Sequence, residues 1–129
     1  MHPSYFMILE SVEESCENEL TLSGETSEWL FHKKFWEKVS SKFQKDFAQY
    51  EEEVFPGEFA NGLAELIDCI MHSLKKEGAD IVRFRYGWNQ NREELISLVD
   101  PRAIIDELTN LIRLFRRAGD KRLDVYCQL

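Results

Sequence analysis

Between residues 29 and 54, large apolar side chains recur at the spacing of an α-helix. On a wheel of 100° per residue, seven of them fall within about 80° of one another. They are Trp29, Trp36, Val39, Phe43, Phe47, Tyr50 and Val54. Thr26 or Ser27 can cap the start of such a helix, and Pro56 disfavours a helical conformation at the residue before it. The pattern predicts one amphipathic helix of about seven turns that ends near Val54.

Two more stretches have the periodicity of long helices. The first follows Pro56 and Gly57, and Gly78 is a plausible stop. Its apolar stripe consists of Phe59, Leu63, Leu66, Ile67, Ile70, Met71 and Leu74. The second follows Asp100 and Pro101, which look like a cap and a first turn. Its inner face would be Ile104, Ile105, Leu108, Leu111, Ile112 and Phe115, with arginines near the end at Arg113, Arg116 and Arg117.

The remaining segments are shorter. Residues 4–9 fit either a strand or the start of a helix, because length does not decide between them. Residues 10–27 are polar and acidic, which predicts a loop. Residues 81–86 alternate and predict a strand, and residues 91–94 have the spacing of a capping box, which predicts a short helix. The tail, LDVYCQL, also alternates, so we expect it to pair as a strand with residues 81–86.

Together these patterns predict a helix-dominated α+β fold. It would contain three long amphipathic helices, one short helix and a small antiparallel sheet, with an all-α bundle as the alternative. A chain of 129 residues can bury a core without disulfides or metal, so we expect a single domain over residues 1–129.

The three cysteines are an odd set without close spacing, which favours free thiols in the cytoplasm. No apolar run is long enough to span a bilayer. The first fifteen residues have only a short apolar part and no basic residues that would precede it, so we expect no secretory signal.

The charge of the chain is uneven. The formal net charge is −8, and residues 1–58 contain thirteen acidic residues against five lysines. Residues 81–129 instead contain nine basic residues against seven acidic ones. An N-terminal half of this kind repels nucleic acid phosphates, so we expect no direct nucleic acid binding. A basic protein is the partner that the charge favours.

The sequence carries few signs of catalysis. It has no glycine-rich phosphate loop, no nucleophile elbow and no helical zinc-protease motif. Cys69 and His72 are the nearest approach to a metal pair, and no second pair accompanies them. The stretch RFRYGWNQNR at 83–92 mixes arginines with aromatic residues, but arginines at alternate positions of a strand more often form its solvent face. We therefore expect no metal, no cofactor and no enzymatic activity, with a small enzyme kept as the third alternative.

Three consecutive glutamates, Glu51, Glu52 and Glu53, fall at the predicted end of the aromatic helix. The helix dipole disfavours each carboxylate there by about 0.3–1 kcal/mol. One interpretation is that they are solvated surface charges. The other is that they belong to a partner-binding acidic surface, which would speed the association of a basic protein. The further members of that predicted surface are Asp46, Glu58, Glu13, Glu14 and Glu17.

The acidic stretches ESVEESCENE at 10–19 and YEEEVFPGE at 50–58 give the chain a resemblance to bacterial toxin-immunity proteins of the contact-dependent growth inhibition type. The resemblance implies an inhibitor that binds the basic catalytic domain of a toxin, often a nuclease, and blocks its active site. We expect the protein to act in the cytoplasm as a monomer or weak homodimer and not to bind a membrane. The alternative is an adaptor or structural subunit, or a homo-oligomer formed through Leu30, Phe31 and Phe55 if these are exposed.

Overall fold

The computed structural model describes residues 1–9, 18–47 and 51–129. These residues form four α-helices and six strands in two antiparallel sheets, which is an α+β fold. In chain order the elements are β1 (Ser4–Ile8), β2 (Glu19–Leu22), α1 (Gly24–His32), α2 (Phe35–Phe43), β3 (Glu52–Phe55), α3 (Ala60–Glu77), β4 (Val82–Trp88), β5 (Glu94–Val99), α4 (Pro101–Lys121) and β6 (Val125–Gln128). Only α3 and α4 are long. No helix in the described part of the chain combines the length and apolar composition that crossing a bilayer requires.

The predicted architecture of three long helices with a small sheet is wrong. The aromatic stripe does not form one helix, because its described members lie in α1, in α2, at Phe47 beyond α2 and in strand β3, while Tyr50 lies outside the described residues. Lys34 takes a left-handed conformation with φ 57° and separates the two helices, and Gln44 ends α2 with φ 55°. The first helix also starts earlier than predicted, because the side chain of Ser23, rather than Thr26 or Ser27, caps it.

The short helix predicted after residue 91 is also wrong, because this segment forms β5 and pairs with β4 in a hairpin. The side-chain oxygen of Asn89 accepts hydrogen bonds from the backbone N–H groups of Asn91 at 2.8 Å and Glu93 at 2.9 Å, which closes the turn. Across the hairpin, Ser97 is paired with Phe84, and both side chains are buried. Cross-strand pairing therefore prevails over the capping-box spacing.

The four-stranded sheet has the order β2-β1-β6-β3, with every pair antiparallel. The C-terminal strand β6 lies in its interior, between β1 and β3, and does not pair with β4 as predicted.

The loop predicted for residues 10–27 is also corrected in part. Glu19–Leu22 form strand β2 and α1 begins at Gly24, while residues 10–17 lie outside the described residues.

Aromatic rings join the inner face of this sheet to the helices. The ring of Phe115 on α4 lies 5.8 Å from that of Phe6 on β1 and 6.0 Å from that of Phe55 on β3. Phe6 also stacks on Trp36 of α2 at 6.1 Å. Leu30 and Phe55 are fully buried in this core and Phe31 is half-buried. The three residues therefore do not form the exposed patch that the predicted homo-oligomer needs.

A carboxylate on α4 ties this helix to the start of α1. Glu107 accepts hydrogen bonds from the backbone N–H of Ser23 at 2.6 Å and from its hydroxyl at 2.9 Å. The hydroxyl of Thr26 donates to the same carboxylate. A negative charge at a helix N-terminus is favourable, so this cluster of hydroxyl groups and a carboxylate has a structural explanation.

Candidate functional site

The four-stranded sheet has one face turned away from the core. Alternation along the strands places eight side chains on this outer face, in two rows that follow the pairing register. One row is Thr21, Tyr5, Gln128 and Glu52, and the other is Glu19, Met7, Tyr126 and Val54. None of the eight is buried. The tyrosines and the methionine in the middle are half-buried, and the rest are exposed.

The two tyrosines form the centre of the outer face. Their ring centroids lie 6.4 Å apart in an edge-to-face arrangement. The hydroxyl of Tyr5 is hydrogen-bonded to Glu19, and that of Tyr126 to Glu52. Partial burial raises the pKa of both tyrosines above the ordinary value, and the neighbouring carboxylates raise it further. Both rings are therefore uncharged at neutral pH, and each is tied to a glutamate at an edge of the sheet.

We expect Glu52→Gln to lower the pKa of Tyr126, because it removes a negative charge that opposes formation of the tyrosinate. An absorbance titration at 295 nm measures this, with Tyr126→Phe to assign the transition. The pKa of Tyr126 is higher in the folded protein than its ordinary value of 10.0 in the unfolded chain. The contribution of Tyr126 to the stability of the fold is therefore complete below pH 10.0 and is lost as pH rises through the folded pKa. Glu58→Gln is the control, and an equal shift in both variants would contradict the assignment.

The predicted partner-binding residues are spread over several positions. Glu52 lies on the outer face, whereas Glu53 points to the other side of the same strand, opposite Cys127. Burial and the charge of Glu53 raise the pKa of the Cys127 thiol far above its ordinary value. Glu51 is exposed just before β3, and its carbonyl accepts from the backbone N–H of Leu129 at 3.0 Å.

The other predicted residues do not join this strand in a single row. Asp46 is exposed in the loop after α2, and Glu58 is exposed in the 3₁₀ turn before α3. Glu13, Glu14 and Glu17 lie outside the described residues. Since Glu51–Glu53 do not end a helix, the helix dipole does not act on them as predicted. Charged side chains on an edge strand also discourage pairing with other chains, which is a structural reason for their presence.

The sequence did not single out three of the outer-face residues that now stand out. Glu19 falls in the predicted loop, the segment of Tyr5 fits either a strand or a helix, and the segment of Tyr126 is predicted to pair with residues 81–86 rather than with β1 and β3. In the structure buried residues flank each tyrosine along its strand, but SYFMI is an apolar run without alternation in the sequence, whereas the tail that contains VYCQ does alternate. Alternation shows that a strand has two faces. It does not show which strands are neighbours, so the tyrosine pair could not be found from it.

A second exposed surface lies on the β4–β5 hairpin. Three large apolar side chains are unusually exposed here: Ile81 at 58%, Trp88 at 55% and Leu98 at 65%. The guanidinium of Arg85 lies 4.8 Å from the ring of Trp88 and 3.4 Å from Glu94. With the exposed Arg83, paired with Leu98, these residues form what we name the hairpin patch.

The described residues contain no group of three or more His, Cys, Asp and Glu side chains placed to hold a metal ion. Cys69 is exposed, and His72 lies 3.9 Å from Asp68 with most of its side chain in solvent.

No protein-family model, curated protein or solved structure matches the chain. The case for a function therefore depends on the surfaces themselves.

Proposed function

We propose that the protein captures a basic protein through its outer face and acts as an immunity-type inhibitor. The partner would be the catalytic domain of a toxin, in the simplest case a nuclease, neutralised in the bacterial cytoplasm. One observation carries the proposal. The outer face holds two tyrosines and a methionine at its centre and a glutamate at each edge, and no side chain on it is buried.

The composition of the outer face suits protein binding. Tyrosine and methionine are enriched at interfaces, and the rigid rings of tyrosine supply contact area at low cost in conformational entropy. The edge residues Glu19 and Glu52 would form a polar rim around Tyr5, Met7 and Tyr126. Rim charges steer a partner of opposite charge and raise its association rate, while the central aromatic residues slow its dissociation.

The charge explains why a nuclease is the favoured target. A nuclease binds the phosphate backbone through lysines and arginines, which form a positive surface around its active site. A protein with net charge −8 and a glutamate at each edge of its outer face, Glu19 and Glu52, is drawn to that surface. Carboxylates that pair with the same cations would exclude the nucleic acid without any catalytic residue in the inhibitor.

The test is a double charge reversal on the outer face, Glu19→Lys with Glu52→Lys. Both side chains are exposed, so we expect the fold to be kept. The association rate with the basic partner should fall by about tenfold or more at low salt, and its salt dependence should weaken. Stopped-flow mixing or surface plasmon resonance with the isolated catalytic domain measures both.

The matched control is Glu65→Lys with Glu93→Lys, which changes net charge equally at exposed positions on α3 and the hairpin turn. If this control slows association as much as the outer-face reversal, the effect comes from overall charge and the outer face is not the binding site. If neither variant changes association, the interface lies elsewhere.

The hairpin patch favours a second candidate function, that of an adaptor between two proteins. It is apolar, and because Arg85 is paired with Glu94, Arg83 leaves it a net positive charge of one unit, which fits an acidic protein surface, unlike that of the outer face. In that case Trp88→Ala with Arg85→Ala should release an acidic partner and leave capture of the basic one intact. Retention of every captured protein by this variant would argue against an adaptor.

A further inference from the structure

A cleft opens between the α1–α2 pair and helix α3. Its volume is about 320 Å³, within the range of small-molecule sites in proteins. The apolar part of its lining consists of Trp29, Phe35, Leu66, Ile70 and Leu74. Leu66 and Ile70 are half-buried, so the cleft offers an apolar surface that solvent reaches. It shares no residue with the outer face or the hairpin patch.

The charged groups of the cleft are two lysines and one glutamate. Lys33 lies 3.9 Å from Glu77, so these two charges are paired with each other. Lys38 is exposed and has no ion-pair partner among the described residues. The side chains that line the cleft therefore carry a net charge of +1, which is complementary to the single negative charge of a carboxylate.

Trp29, which lines the cleft, carries a hydrogen-bond donor that is buried in the wall of the cleft. Trp29 is only 1% exposed, and its indole N–H has no acceptor among the described residues. A buried donor of this kind is costly to leave unsatisfied. The indole nitrogen is not reached by solvent, so Trp29 contributes the apolar surface of its ring to the cleft rather than a donor for a ligand.

We propose that this cleft binds a small amphipathic carboxylate of the medium-chain fatty-acid class. The chain lies against Leu66 and Ile70, and the carboxylate accepts from the ammonium group of Lys38. This site is separate from the proposed partner-binding surface, and its test does not depend on any protein partner.

The exposed thiol of Cys69 lines the cleft and reports its occupancy, whereas the Cys127 thiol is buried. In Cys16→Ser protein, octanoate should slow alkylation of Cys69 by iodoacetamide about fivefold or more, in a saturable way. It should also change tryptophan fluorescence over the same concentration range. Octanol, which has the chain without the charge, should bind about tenfold more weakly, and acetate should give no protection.

Lys38→Ala should weaken octanoate binding by about tenfold, and Lys42→Ala is the control, because Lys42 is exposed on the same helix but outside the cleft. Both substitutions are at the surface, so circular dichroism should show an unchanged fold. The proposal is overturned if octanoate gives no saturable protection up to its solubility limit. It is equally overturned if octanol protects as well, or if the two lysine variants bind alike.

Discussion

Replacing Phe115 by alanine is expected to lower the free energy of unfolding by about 3–5 kcal/mol, as for other large-to-small changes of buried aromatic residues. Phe115 is fully buried, and its ring contacts Phe6 of β1 and Phe55 of β3, so it joins α4 to both sides of the sheet. The substitution would leave a cavity between α4 and the inner face of the sheet, next to β1 and β3, which both carry outer-face residues. Urea unfolding followed by fluorescence or circular dichroism measures the change.

Phe59→Ala is the control for this prediction. Phe59 is 37% exposed, and its ring contacts Phe43 at 5.5 Å. We expect a loss of about 1 kcal/mol there, because much of the ring is already in water. Equal losses in the two variants would mean that Phe115 is not the central contact between sheet and helix.

Replacing Gly57 by alanine should also have a large effect, about 3 kcal/mol. A Cβ atom at this position would lie 2.5 Å from the carbonyl oxygen of Leu123 and 2.6 Å from the carbonyl carbon of Arg122. Both atoms belong to the backbone of the turn between α4 and β6, which has no flexible end to move. The backbone N–H of Gly57 also donates to Asp124 at 2.9 Å, which draws the two turns together.

Gly87→Ala is the matched control, because the nearest atom to its Cβ would be Leu95 Cδ1 at an ordinary 3.9 Å. We expect a change of about 0.5 kcal/mol or less, compared by the same urea unfolding. A tolerated Gly57→Ala would show that the turn can shift. In that case the position of β3 beside β6, and with it the position of Glu52 on the outer face, would not be fixed by this contact.

The sequence allowed α3 and α4 to be predicted because their signals are local. Asp100 caps α4 through the backbone N–H of Arg102 at 2.9 Å, and Gly78 ends α3 with φ 64°. The break between α1 and α2 could not be predicted, because it depends on a left-handed lysine. Lysine carries no such preference, so tertiary packing of the aromatic residues imposes that conformation.

The candidate site was predicted in part and for the wrong reason. Glu52 was singled out as a carboxylate at the end of a helix, but it lies on an edge strand opposite Gln128. Its neighbours on the outer face come from both ends of the chain, since Tyr5 is near the start and Tyr126 near the end. Such long-range strand pairing depends on the whole core, which a local pattern does not describe.

The most direct test of the central claim is site-specific photo-crosslinking in the native host. A photo-reactive residue at Thr21, exposed on the outer face, is compared with one at Gln90, exposed in the hairpin turn. We predict that the Thr21 probe links to a basic catalytic domain whose activity this protein silences, and that linking fades at high salt. Links from Gln90 alone, or from Thr21 only to an acidic assembly indifferent to salt, would contradict capture of a basic partner by the outer face.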